Sequence, residues 1–399
     1  MPWRRPRKRV ERPINVSRAI EESLEEAAAG EEEDESAELA ELNGASVLEA
    51  ATGEPDIEAR APSPFERLAG VRLGTDVPSI TPVRSAARPE EDVDLAVDAA
   101  RGLRLRNPVL TASGTFGQGV EYAELIDVSR LGAFVNKGTT VHARPGNPQY
   151  RIAETPSGIL NSIGLENPGA AEVARKYGKA WVSLGAPVIV NVAGYSVEDY
   201  VAVVREMAGT PGVVAYELNV SCPNVRGGML FGCDPGLAAE VTAAVKQETD
   251  LPIIVKLTPN APDVVAVARA VEAAGADGLT AINTVLGMRI DVKRRRPILG
   301  TGSGGLSGPA IRPIAVHITY QVAQAVSIPI IGAGGVSDTD DALEFLMAGA
   351  SAVQVGTATF ADPLAPLRVI EGLAAYVRSN GLGSIREVIG TALPPEPIA

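Results

Sequence analysis

The chain is poor in the residues that most metal and disulfide chemistry needs. It has 2 Cys and 2 His in 399 residues. That excludes a disulfide-stapled scaffold, a Cys-rich zinc module and an iron–sulfur site built from this chain alone. A multi-histidine metal site is equally out of reach, so no metal is expected. Aromatics make up 4%, so a core must come from Val, Ile, Leu and Ala. No apolar run reaches the roughly 18–20 residues needed to span a bilayer, and a cytoplasmic protein is expected.

Positive charge is also in short supply, and unevenly so. Lys and Arg number 36 against 49 Asp and Glu. Residues 1–98 hold 12 basic and 23 acidic residues, and the remainder holds 24 and 26. The acidity therefore belongs to the head of the chain, and a near-neutral body gives no sign of nucleic-acid binding. The head opens on MPWRRPRKRVER with six basic side chains, and Glu31 to Glu35 form an acidic run soon after. No apolar stretch follows the basic start, as a signal peptide would require. Residues 17–42 have helix-forming composition but too thin an apolar stripe to dock. Residues 1–90 are expected to be an acidic, low-complexity, disordered extension, and 391–399 a short tail.

From about residue 91 to 390 the texture is that of one folded domain. Val93 to Leu105 alternates around Arg101-Gly102 and predicts a small hairpin. Eight apolar runs then end in polar or glycine-bearing tips: 108–114, 133–140, 187–194, 214–222, 252–259, 278–285, 329–336 and 352–358. Runs without alternation suit strands covered on both faces, as in a parallel sheet. Amphipathic helical patterns separate most of them, at 197–208, 236–248, 262–274, 309–326, 339–348 and 364–379. Eight strand–helix units in this length predict an α/β fold, a (β/α)8 TIM barrel, preceded by the hairpin. An open doubly wound sheet is the structural rival.

The unusual polar residues fall where strands end: Asn136-Lys137, Asn191, Glu217, Asn219, Ser221-Cys222, Lys256, Asn283-Thr284, Gly334-Gly335 and Gly356-Thr357. In a barrel those tips ring one mouth, the usual seat of the active site. Glycine tips after strands 7 and 8 let backbone N–H groups approach a phosphate, and Gly308 offers a third such loop. Lys137 and Lys256 suit an anionic ring, a phosphate or a Schiff base, and a buried ion pair with Glu217 is the plain structural alternative for a lysine there. Cys222 is a candidate base or nucleophile, though a lone Cys is more often a packing residue. The long connection 142–169 has little helical period and suits a loop covering the site.

Taken together, ELNVSCPNVRGG (217–228), NSIGLENPG (161–169), NKGTT (136–140), VKLTPN (255–260), AINTVLG (281–287), GAGGV (332–336) and VGTATF (355–360) resemble the dihydroorotate dehydrogenases. The likeness is narrowest to the catalytic chain of the type 1B, NAD-linked form. It runs in order from about residue 93 to 390. It implies oxidation of (S)-dihydroorotate to orotate in pyrimidine (UMP) biosynthesis, with FMN in the barrel mouth. By this resemblance Cys222 is the base for the C5 proton and Lys137 lies beside flavin and substrate. Substrate contacts would come from Lys137, Asn161, Ser162, Ile163, Gly164, Leu165, Asn219, Asn224, Asn283 and Thr284. FMN contacts would come from Ser113, Lys137, Gly138, Asn191, Asn219, Lys256, Ile282, Gly308, Gly334, Gly335, Gly356 and Thr357. The resemblance further implies a separate electron-transfer subunit carrying FAD and a [2Fe–2S] cluster, in a heterotetramer of two catalytic and two electron-transfer chains. The alternatives are a fumarate-linked type 1A-like enzyme, a related flavin domain acting on uracil-type pyrimidines, and a phosphate-binding barrel lyase using a Schiff-base lysine.

Overall fold

Stretches such as Val188-Ile-Val-Asn-Val192 and Ile253-Ile-Val-Lys-Leu257 have no polar face to show to water, and each of their residues is buried. A computed structural model describes residues 81–85, 88–221 and 231–395. In it these runs are strands β1 (Val109–Thr111), β2 (Ala133–Val135), β3 (Val188–Val192), β4 (Val213–Asn219), β5 (Ile253–Leu257), β6 (Gly278–Ala281), β7 (Ile330–Ala333) and β8 (Ala352–Val355). They pair in parallel in chain order, and β8 returns to β1 through Val353 and Val109. The closed barrel is the predicted one, and closure leaves no sheet edge.

Among the described residues seven helices of nine or more residues wrap it: α1 (Ala170–Leu184), α2 (Val197–Met207), α3 (Pro235–Lys246), α4 (Val264–Ala273), α5 (Arg312–Ala323), α6 (Thr339–Met347) and α7 (Ala365–Ser379). Ser196, Asp234, Asp263 and Asp338 start four of them by accepting a backbone N–H of the first turn, which satisfies donors the helix itself leaves open. Sequence patterning located six of these helices and missed α1. Its buried stripe of Val173, Tyr177, Trp181 and Leu184 is regular, but it follows directly on the long glycine-rich connection.

The first strand–helix unit departs from the expected repeat. Between β1 and β2 the chain makes only two 3-10 turns, Val120–Tyr122 and Val128–Arg130. Gly114, Gly117 and Gly119 all take positive φ there, which a right-handed helix does not allow. At Gly119 a side chain would also strike the ring of Phe134, with Cβ 2.7 Å from it.

The two ends of the barrel are finished differently. Strands Val97–Ala100 and Leu103–Leu105 form the predicted hairpin, which lies against the start of β6. The Arg101 N–H donates to Asp277 O at 2.8 Å, and a Cβ on Gly278 would sit 2.9 Å from that of Ala100. Most of the expected extension lies outside the described residues, and residues 81–85 and 88–90 pack on this end of the barrel. Arg84 donates to Leu184 O and Asp127, and Arg130 holds Glu90 in a buried two-point pair at 2.8 and 2.7 Å while also reaching Glu371. At the other end, insertions after β2 and β6 build one four-stranded antiparallel sheet, in the order Val285–Gly287, Gly304–Ser307, Gly158–Asn161 and Ile152–Thr155. The connection 142–169 is thus partly a hairpin rather than an irregular loop. Ala153, Leu160 and Leu299 give this sheet a small core of its own. Among the described residues no helix is long and apolar enough to cross a membrane.

Candidate active site

Parallel closure brings the ends of all eight strands to one rim, so residues far apart in sequence share a mouth. Just inside the rim lies a buried polar network centred on Glu217 of β4, whose exposure is 0%. Its Oε1 accepts from Asn191 Nδ2 at 2.7 Å and from Lys256 Nζ at 3.3 Å. Its Oε2 accepts from Thr280 Oγ1 at 2.8 Å and Gln354 Nε2 at 2.6 Å. Lys256 Nζ also donates to Ser113 Oγ and Gln354 Oε1. Lys256 is therefore an ammonium tied to a carboxylate, which is the ion-pair alternative weighed for it and a poor arrangement for a Schiff-base amine. Thr280 and Gln354 were missed from sequence. The available signal was a polar residue inside a strand buried on both faces.

Lys137 behaves differently. Its backbone N–H donates to Gly117 O at 2.7 Å, but among the described residues its ammonium has no hydrogen bond or ion-pair partner. Burial pulls its pKa below the ordinary lysine value, Glu166 and Glu121 push it back up, and Arg151 adds to the depression. Glu121 stands behind it, raised by burial and held by the Gln118 N–H. Next to Lys137, Gly138 leaves room for two neighbours: a Cβ there would lie 3.0 Å from Leu165 Cδ2 and 3.1 Å from Asn191 Oδ1. That Asn191 oxygen is buried and unpaired among the described residues. Because Asn191 gives its N–H to Glu217, the free oxygen is presented as an acceptor.

A third group is made of amides and hydroxyls. Asn283 Nδ2 donates to Asn219 Oδ1 at 3.1 Å and Ser221 Oγ at 2.8 Å, and Asn283 Oδ1 accepts the Thr284 N–H. Asn161 reaches this group through the added sheet. It pairs in register with Gly305 and donates to Gly305 O at 3.2 Å, while the Thr284 hydroxyl occupies the space where Gly305 would carry a Cβ. Gly164 and Leu165 follow with φ of 78° and 56°, a conformation that a leucine adopts only under constraint. Arg144, Asn147 and Arg151 brace this turn through Gly164 O, Ser162 and Glu166. Ser162 is spent on that bracing: its hydroxyl meets Thr301 at 2.6 Å and its N–H donates to Arg151 O. Ile163 O likewise accepts from Asn147.

The glycine tips form the fourth group. Gly308, Gly334 and Gly335 take φ of 97°, 132° and 86°. A Cβ on Gly335 would lie 2.8 Å from Gly308 O, and one on Gly308 would lie 3.5 Å from Thr357 Cγ2. These loops therefore touch, and Thr357 Oγ1 donates to Ser307 Oγ at 2.8 Å. Among the described residues the N–H groups of Gly308, Gly334, Gly335, Gly356 and Thr357 have no acceptor. A cluster of free donors beside the start of α5 is suited to an anion such as phosphate. Ile282 sits behind the rim with its N–H committed to Ala333 O. Cys222 and Asn224 lie outside the described residues, and Ser221 is the last described position before them.

The mouth thus holds a free ammonium, a free buried acceptor, an amide cluster and a set of free N–H donors. Such unspent polar capacity at one barrel rim suits a planar polar ligand with a phosphate tail. The chain is 52% identical over 301 residues to the dihydroorotate dehydrogenase B (NAD(+)) catalytic subunit of Desulforamulus reducens, covering 75% of this chain and 99% of that one. It is 54% identical over 290 residues to that of Geobacillus kaustophilus, covering 72% and 93%. Against that of Geotalea uraniireducens the figure is 48% over 301 residues, covering 75% and 98%. The sequence model of the dihydroorotate dehydrogenase family matches residues 95–377, most of the barrel, and this chain belongs to that family.

Proposed function

We propose that this chain is the catalytic subunit of an NAD-linked dihydroorotate dehydrogenase and oxidises (S)-dihydroorotate to orotate. The observation that carries the reading is the unspent polar capacity of the mouth: Lys137, Asn191 Oδ1 and five backbone donors, all without partners among the described residues. These groups fit FMN, with the phosphate on Gly308, Gly334, Gly335, Gly356 and Thr357 and the ring toward Lys137, Gly138, Asn191, Ser113 and Lys256. FMN bound there would accept the hydride from C6 of the substrate. Asn161, Asn219, Asn283 and Thr284 would hold the substrate, since neutral amides match a ring that offers both N–H and C=O groups. Lys137 would place its positive charge beside the carboxylate and the ring. Cys222 would take the C5 proton on its sulfur, reacting as the thiolate. NAD would be the final acceptor, reached through a separate chain carrying FAD and a [2Fe–2S] cluster, in an assembly of two catalytic and two electron-transfer subunits.

Anaerobic titration of the purified chain with dihydroorotate tests the reading. A yellow protein whose visible flavin band bleaches stoichiometrically is expected. A colourless chain that takes up no added FMN overturns it.

A further inference from the structure

We infer that Glu217 is a positioning residue that sets the reduction potential of the flavin by cancelling the charge of Lys256. The inference rests on the proposed FMN site. Glu217 is fully buried, and its carboxylate receives four donors from four other strands: Asn191 on β3, Lys256 on β5, Thr280 on β6 and Gln354 on β8. Two consequences follow. First, Asn191 is locked with its N–H toward Glu217, so only its oxygen faces the mouth. Second, the two lysines at the rim are not equivalent. Lys256 has its countercharge within 3.3 Å, whereas Lys137 has no ion-pair partner among the described residues. The mouth therefore presents one positive charge with no carboxylate in contact instead of two, Glu166 and Glu121 acting on Lys137 only through space.

That difference matters for a redox centre. Two-electron reduction with uptake of one proton leaves a flavin ring with one more negative charge than before. Each uncompensated cation nearby stabilises the reduced form, strongly so in a low-dielectric interior. A purely structural role, stitching strands together, would leave the potential alone.

Glu217→Gln removes the charge but keeps an oxygen for Asn191 and Lys256. In the FMN-loaded full chain we expect the ratio of reduced to oxidised flavin at a fixed potential to rise about tenfold, which is about 30 mV for a two-electron couple. The dissociation constant for oxidised FMN should move less than about threefold. E217Q/K256M, which removes both charges, should show a lower ratio than E217Q because the cation that E217Q leaves unpaired is gone, and such paired replacements are commonly tolerated in cores. An unchanged potential in E217Q overturns the inference even if its melting temperature falls. So does a ratio in E217Q/K256M as high as in E217Q or, if E217Q does not fold, a ratio in the double variant about tenfold or more above wild type. Failure of the wild-type chain to bind FMN refutes the underlying functional reading instead, so the two failures are distinguishable.

Discussion

The two ends of this barrel use the same kinds of side chain for opposite purposes. At the N-terminal end, Arg130 is buried and fully engaged by Glu90 and Glu371, Arg378 pairs with Asp92, and Arg386 with Asp94. The hairpin covers the strand starts. At the C-terminal mouth, Lys137, Asn191 Oδ1 and the glycine N–H groups are left without partners among the described residues. A buried polar group normally costs stability unless it is hydrogen-bonded. Saturation at one end and vacancy at the other therefore separate the part of the fold that is held together from the part that holds something else.

Substitutions at the mouth should disable function and spare the fold, and those at the closed end should do the reverse. The largest effect is expected for Cys222→Ala: FMN absorbance is retained while steady-state dihydroorotate oxidation falls about 10²–10⁴-fold, the usual loss of a positioned base. A wild-type rate would remove Cys222 from the mechanism. At the closed end, Arg130→Ala leaves Glu90 buried without its partner. Urea unfolding should show a loss of about 3–5 kcal/mol, with the FMN affinity of the folded fraction unchanged. A matching loss of affinity would blur the division between the ends.

Gly335→Ala sharpens the comparison within the mouth itself. A non-glycine residue in the left-handed region costs about 1–2 kcal/mol, and this Cβ would also press on Gly308 O. Fluorescence titration should find FMN binding weakened about tenfold. The smallest effect is a gain. Burial depresses the Lys137 pKa in the folded chain, so the unfolded chain binds its proton more readily. Stability should then rise with pH between the depressed and the ordinary lysine pKa, and the penalty is fully present below that window. Lys137→Met should raise the melting temperature near neutral pH by roughly 2 °C and flatten this pH dependence. A lower melting temperature would mean that the free ammonium is structural after all.

The barrel was legible in the chain because each buried strand must be apolar on both faces and each helix must carry a stripe, and these periodicities are local. Most strand ends fell within a few residues of expectation for the same reason. The polar tips were visible too, since a lysine or asparagine ending an apolar run is conspicuous. What escaped were features set by contacts between distant segments. The first unit has no helix because its glycines turn the chain against Phe134. The connection 142–169 became half of a sheet only because Gly158–Asn161 found Gly304–Ser307, well over a hundred residues later.

The division of labour between the two lysines is the sharpest case. Lys137 and Lys256 look alike in sequence, each closing an apolar run. Only closure of the barrel brings Glu217 and Gln354 into contact with one of them and leaves the other without a hydrogen-bonding or ion-pair partner among the described residues. Local residue order dictates which side chains arrive at the rim, because strand period and length are properties of the chain. Which charges are cancelled there depends on who sits across the barrel, and that is decided by packing.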